Sequence, residues 1–267
     1  MSNATYHRPA SLADASKLLK GNADARLLAG GQSILPSIRL GLLAPSAFID
    51  LASVADLKGI RVDGRNVVIG AMTTHAAVAE SRDVQSKLAA LAALAAGIGD
   101  RQVRNRGTIG GSIANSDPAA DYPAGVLGLN ATVRTDRRTI AADDFFKGLF
   151  ETALAPGEII KEISFPVPNR AAYMKFPQPA SRFALVGVFV AQTGKSVRVA
   201  VTGAGACAFR VPALEDALQK KFAAESCDGV QVPAASLNSD LHGSAQYRAH
   251  LIPVLARRAV QQALGQS

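Results

Sequence analysis

Two glycine pairs set the tightest constraint on how this chain can fold. They occur in "LLAGGQS" at 27–33 and in "TIGGS" at 108–112, each between an apolar, strand-like run and a hydroxyl residue. A glycine pair permits positive φ and exposes main-chain N–H groups with no Cβ in front of them. One use of such a pair is a tight turn; the other is an anion cradle, in which several N–H groups and one O–H converge on phosphate oxygens. Either pair alone fits the turn. The matching hydroxyl offsets of the two together favour a pyrophosphate held between facing bends. On that basis Gly31→Val or Gly110→Val sets a Cβ where phosphate oxygens lie, and ligand retention is lost while the C-terminal third stays folded.

The 267 residues, 48% of them hydrophobic, suffice for one large domain or two to three small ones. "SLADASKLLKGN" reads as a helix with a capping-box-like start at Ser11 and Asp14 and a stop at Gly21. From Ala25 to Leu51 the pattern is strand, glycine turn, short helix beginning near Ser33, strand: a β-α-β unit. "IRVDGRNVVIGAMTTH" predicts two strands around a D-G-R-N turn, then Thr74 as a helix N-cap and His75 as a first-turn surface residue. A long alanine- and leucine-rich helical stretch through Gly97 follows. "ATVRTDRRTIAADDFF" and "GEIIKEISFPVP" supply further strands. "FALVGVFVAQTGKSVRVAVTGAG" reads as a strand pair, followed by helices at 211–222 and 244–265, the second interrupted or kinked at Pro253. The expected class is α+β in three units, residues 1–57, 58–170 and 171–267: a small β-α-β part, a mainly antiparallel sheet with helices, and a small α+β domain.

Composition narrows the chemistry. The net charge is +8, yet only Arg101, Arg104 and Arg106 cluster, aromatic residues are 5% and tryptophan is absent, so platforms for stacking bases are scarce. A small anionic ligand fits this better than a nucleic acid. Cys207 and Cys227 stand twenty residues apart without motif spacing, and His7, His75, His242 and His250 are isolated, so the expectation is no metal and no iron–sulfur cluster on this chain. No charged leader precedes an apolar stretch, and the longest run of low polarity, 88–98, is about half the roughly 20 residues of a spanning helix. The expected location is the cytoplasm, with no transmembrane segment.

Three further features bear on a site. Asp121, nine residues beyond Ser112, offers a carboxylate to the hydroxyls of a sugar; Asp117 is its rival, in a segment that Pro118 and Pro123 mark as a rigid loop. Lys175, in "YMKFPQPASR", is either a positive charge beside a ring that gains negative charge on reduction or a solvated lysine. Gly203-x-Gly205-x-x-Ala208 superficially matches the dinucleotide fingerprint, but "FRVP" intervenes before a helix begins at about Pro212, so it is expected to be a strand-end turn.

"LLAGGQSILPSIRLG", "VVIGAMTTHAAVA" and "RNRGTIGGSIANSDPAADYPA", followed by "PGEIIKEISFPVP" and "VTGAGACAFRV", closely resemble the medium, FAD-binding subunit of molybdenum hydroxylases of the carbon monoxide dehydrogenase type. The FAD domain of xanthine dehydrogenase is a more distant likeness. The resemblance covers essentially the whole chain. It implies a two-part FAD domain of the vanillyl-alcohol-oxidase type and a small C-terminal domain. It also implies an FAD site made of Leu28, Ala29, Gly30, Gly31, Gln32, Ser33 and Ile34 in the first bend and Thr108, Ile109, Gly110, Gly111 and Ser112 in the second. Asp121 is implied near the ribityl and ribose hydroxyls, Ile160 as an apolar contact of the flavin region, and Lys175 as a basic flavin-site residue. Gln32 departs from the histidine of many relatives, and the chain lacks the cysteines of the hydroxybenzoyl-coenzyme A reductase branch.

The function so implied is electron transfer with no catalytic side chain. Electrons arrive from two [2Fe-2S] clusters on a small partner subunit, which draws them from a molybdenum cofactor on a large one. They leave to a quinone, NAD or dioxygen, and the complex is expected to be a dimer of heterotrimers. The alternatives are a self-sufficient flavin oxidase or reductase of the same fold, and a non-enzymatic anion-binding scaffold.

Overall fold

The structure, a computed structural model, describes residues 4–266. It begins with β1 (Thr5–His7) and α1 (Leu12–Lys20), where the Oγ of Ser11 accepts the Asp14 N–H at 3.1 Å and satisfies one of the helix's orphan donors. After β2 (Ala25–Leu28), α2 (Ile34–Arg39) and β3 (Ala47–Asp50), the three strands form a parallel sheet in the order β1-β3-β2. The expected β-α-β unit is therefore present. Its first glycine bend leaves the carboxyl edge of β2, the edge at which open α/β sheets take ligands. Ala15, Ile49, Val54, Leu57 and Ile159 close the small core beneath it.

The hairpin β4 (Ile60–Asp63) and β5 (Asn66–Gly70) turns at Gly64, whose φ of +57° explains the glycine there. The run expected as one long helix is instead three: α3 (His75–Glu80), α4 (Arg82–Lys87) and α5 (Ala89–Ala96). Ser81 makes the first break, ending α3 and capping α4 by accepting the Val84 N–H, and Leu88, at φ −133°, makes the second. Next come α6 (Arg101–Arg106), α7 (Ile109–Asn115), α8 (Tyr122–Gly128), β6 (Thr132–Thr135), β7 (Thr139–Ala141) and α9 (Ala142–Phe145). A short hairpin, β8 (Phe146–Gly148) and β9 (Glu151–Thr152), precedes β10 (Ile160–Pro166). The second unit's sheet is antiparallel, in the order β4-β5-β10-β6-β7, so the strand that closes the unit in sequence sits at its centre.

The last sheet, also antiparallel, comprises β11 (Arg170–Pro177), β12 (Ala184–Thr193), β13 (Ser196–Thr202) and β14 (Phe209–Arg210) in sequence order. α10 (Pro212–Lys220) and α11 (Ala245–Ala263) cover one face, and α11 runs on through Pro253 rather than stopping there. Eight of the ten residues of β12 are buried, because both faces are covered. Val186, Val188 and Val190 face Ile252 and Leu255 of α11, whereas Phe189 and Ala191 join the core of the preceding unit. Gly128 of α8 has no room for a side chain: a Cβ there would lie 2.6 Å from the ring of Phe189. Among the described residues no helix is long and apolar enough to cross a membrane.

Candidate functional site

The two glycine bends meet, and the bareness of the glycines is what lets them. A Cβ on Gly30 would lie 2.1 Å from the carbonyl oxygen of Arg106 and 2.7 Å from the Cα of Gly107, the residue that leads into the second bend. A Cβ on Gly111 would lie 3.5 Å from that of Ala29. Gly31 has φ +75°, which a side chain tolerates poorly, and faces Leu35 and Leu28. Gly110 faces away from the meeting point, and a Cβ there would lie 2.5 to 2.8 Å from Ala71. The expectation that Gly110→Val acts by displacing phosphate is thus corrected, because its first obstacle is Ala71; at Gly31 the positive φ is itself a barrier to valine.

N–H donors are divided unequally between the bends. The second bend is not strand-like but the first turn of α7, with Thr108 as N-cap. Its donors are engaged: Ile109 to Thr73 O, Gly110 to Ala71 O, Gly111 to Thr108 Oγ1 and Ser112 to Thr108 O, at 2.8 to 3.1 Å. Thr108 and Thr74 form an antiparallel bridge flanked by the His75 N–H to Gly107 O and Ile109 N–H to Thr73 O bonds, a pattern that turns the Thr108 N–H away from its partner. The first bend is the opposite case. Among the described residues, none of the five N–H groups of Gly30, Gly31, Gln32, Ser33 and Ile34 donates to a protein acceptor. Such donors are paired in nearly all folded proteins, if only with solvent or ligand, so a continuous row of five is a ready anion cradle. Gln32 is exposed, its Nε2 donating to Gly30 O at 3.3 Å, and the Ser33 hydroxyl makes no cap bond.

Asp121 and Lys175 come together in a way spacing did not reveal. Asp121 is 5% exposed and accepts from Tyr173 Oη at 2.5 Å, while Lys175 Nζ lies 3.0 Å from its Oδ1. Lys175 is therefore no solvated lysine; it also donates to Gly97 O at 2.9 Å. Burial pushes the Asp121 carboxyl above its ordinary pKa, and Lys175 and Tyr173 oppose the shift. Asp117 serves locally, accepting the Ala119 N–H. Arg104 holds the carbonyls of Ile98 and Gly99, and Arg182 reaches Gly99 O as well, so three cations converge on the 97–99 turn. Ile160 stands apart: it sits at a bulge of β10, 5% exposed in the sheet core, where little of it is left for a ligand.

His75 corrects another expectation. It is not a surface residue but 5% exposed; Thr74 does cap α3 as expected, and the cap turns the imidazole inward against Gly107 and the Tyr122 ring, centroids 5.2 Å apart. Burial, aided by Arg104, lowers its pKa to about 4. Sequence reasoning also missed Tyr173 and Gly107; the alternation along β11 that sets Tyr173 two residues before Lys175 on the same face was the available signal. The Gly203 segment is a strand-end turn, as expected. Its N–H donates to Pro118 O at 2.7 Å and its carbonyl accepts from the buried Arg248, with the helix beginning at Pro212.

Residues 2–168 match the family model for the FAD binding domain in molybdopterin dehydrogenase, and residues 171–263 that for the CO dehydrogenase flavoprotein C-terminal domain. The chain is 39% identical to the nicotine 6-hydroxylase medium subunit of Paenarthrobacter nicotinovorans, over 97% of this chain and 96% of that one. It is 37% identical to the carbon monoxide dehydrogenase medium chain of Afipia carboxidovorans, with the same coverage. A chain of the reconstituted CO dehydrogenase from Oligotropha carboxidovorans superposes with a TM-score of 0.90 at 34% identity, covering 99% of each chain.

Proposed function

The chain belongs to the FAD-binding medium subunits of the molybdenum hydroxylases, and from that premise we propose how its own residues hold the flavin nucleotide. It is an oxidoreductase subunit within a complex that also contains small and large subunits, on which the iron–sulfur clusters and the molybdenum cofactor reside. FAD exchanges electrons singly with an iron–sulfur cluster and in pairs with a final acceptor, which is the chemistry it supplies when bound.

The observation that carries the site is the row of five unengaged N–H groups from Gly30 to Ile34, beside a second bend packed against it. These donors grip the diphosphate, helped by the hydroxyls of Ser33, Thr108 and Ser112 and by the outward N–H of Thr108. Hydrogen bonds to a charged oxygen contribute roughly 1.5–3 kcal/mol each before association costs, so the five donors of the first bend are a substantial source of affinity. Leu28 and Ala29 hold the bend to its strand, Ile109 and Gly110 hold the second to the 71–73 segment that follows β5, and Gln32 stiffens the first. Asp121 retains acceptor capacity for flavin hydroxyls beyond its two internal bonds, and Lys175 supplies positive charge near the 97–99 turn. Ile160 acts from beneath, as a packing residue. The working units are 1–57 and 58–170 for the flavin and 171–267 for the clamp that Lys175 provides. We further place the complex in the cytoplasm as a dimer of heterotrimers that passes electrons to quinone, NAD or dioxygen.

The test is flavin stoichiometry. The purified chain is expected to take up about one FAD, and Gly30→Ala to lose it, because the added carbon drives the bends apart. Full retention in Gly30→Ala would remove the bends from the site, and substrate turnover by the chain without partners would overturn its role as a subunit.

A further inference from the structure

His75 lies outside every set of flavin-holding residues named above, yet it touches the structure that joins them. Its Nε2 and Cδ2 occupy the place of a side chain on Gly107, lying 2.5 and 2.8 Å from where a Cβ would stand, and the Cα of Gly107 is in turn the surface on which Gly30 rests. Its backbone N–H donates to Gly107 O at 3.0 Å, so ring and main chain grip the same residue. On the other side the ring meets Tyr122, the neighbour of Asp121. One imidazole thus stands between the junction of the two bends and the start of the helix that carries Asp121.

We propose that His75 is a positioning residue for FAD: a neutral wedge that holds the second bend against the first, so that protonating it loosens the grip on the diphosphate. This rests on the assignment of the bends to FAD.

The chemistry of the pocket explains why the ring must be neutral. His75 Nδ1 is buried with no hydrogen-bond partner among the described residues, and so is Tyr122 Oη. An unpaired lone pair is tolerable there, whereas protonation would bury an N–H and a charge with no acceptor. The facing groups offer no relief. α6 brings Arg101, Arg104 and Arg106, of which Arg104 acts on the ring and opposes its charge. α8 brings Tyr122 and, behind it, Asp121, already paired with Lys175. α4 carries Arg82, Asp83 and Lys87, α5 has no ionisable residue, and Glu80 lies on the far end of the same helix as His75. The positive charge would add to the nearby Arg104, and the ring would move away from Gly107.

The experiment loads the full chain with FAD and follows flavin release, by fluorescence of the freed nucleotide, and far-UV circular dichroism as pH is lowered from 7.5. Wild type is expected to release FAD between the ordinary histidine value of 6.5 and about 4 before its secondary structure changes. His75→Gln keeps a neutral side chain of similar length and is expected to bind at pH 7.5 within about threefold of wild type and to hold FAD through that window. His75→Ala is expected to bind at least tenfold more weakly at every pH. The proposal is overturned if His75→Gln releases FAD along the wild-type curve, or if a folded His75→Ala binds as tightly as wild type; should His75→Ala not fold, the His75→Gln curve decides. Failure of wild type to take up FAD at pH 7.5 would instead sink the assignment of the bends, and this proposal with it.

Discussion

At the scale of single residues, glycine at 30 and 110 serves close approach of backbones, and glycine at 107 makes room for the His75 ring. The sequence displayed the glycine pairs but not what would lie against them, since the atoms concerned belong to Arg106, His75 and Ala71, far from each glycine in sequence or turned toward it only by the fold. The contrast is testable at Gly21, where a Cβ meets nothing closer than 3.5 Å and φ is −77°. Gly21→Ala should leave flavin content unchanged and thermal stability within about 1 kcal/mol, because the site asks for neither a positive φ nor extra room. Asp121 with Lys175 is a different kind of pair: both are buried enough that losing one partner strands the other. Lys175→Met is expected to cost about 3–5 kcal/mol in urea unfolding, and Lys175→Met with Asp121→Asn together less than the sum of the two, as a double-mutant cycle would read. Burial of the lysine was illegible because a lysine flanked by aromatics in a strand fits a surface as well as a cleft.

At the scale of elements, α7 is where a motif read as a strand-side bend turned out to be a helix start. Thr108 caps it and Gly110 seats it on the end of β5, so Gly110→Val should strain the α7–β5 junction, costing about 1–3 kcal/mol and lowering the melting temperature whether or not FAD is present. Gly30→Ala, by contrast, should act chiefly on flavin retention. The division of the 75–96 stretch into three helices had a signal that hydrophobic periodicity hid: Ser81, followed by Asp83 in the first turn of α4, is an N-cap pattern inside an alanine-rich run. Ser81→Ala should cost about 1 kcal/mol by loss of that cap, measurable in the unfolding midpoint. The β-α-β unit, the hairpins and the α1 cap were legible because turn glycines and a capping serine act locally. Sheet order was not, because β10 reaches the centre of its sheet from about a hundred residues after β4.

For the whole molecule, the C-terminal unit is no appendage. Phe189, Ala191, Ala200 and Ala208 lie in one core with Leu91, Leu94, Val126 and Leu127, so a chain cut after residue 170 would leave that core open. Calorimetry should show the second and third units melting in one transition, and the truncated chain should aggregate rather than bind FAD. Acid should act through Glu158, whose carboxylate is held by Arg138, the Ala155 N–H and Thr135 and whose pKa falls to about 2. Because the folded value lies below the ordinary 4.5, this stabilisation is complete above that pH and is lost as pH falls through about 2. Glu158→Gln should flatten the decline in urea midpoint across that interval. One dense set among the ties between units joins 117–121 to 173–203: Pro118 and Ala120 accept from Thr202 and Gly203, and Asp121 meets Tyr173 and Lys175. Chimeras assembled from two homologous parents would therefore inherit a mismatched seam if the crossover fell at the natural gap near residue 169, and would do best when 117–121 and 173–203 descend from the same parent.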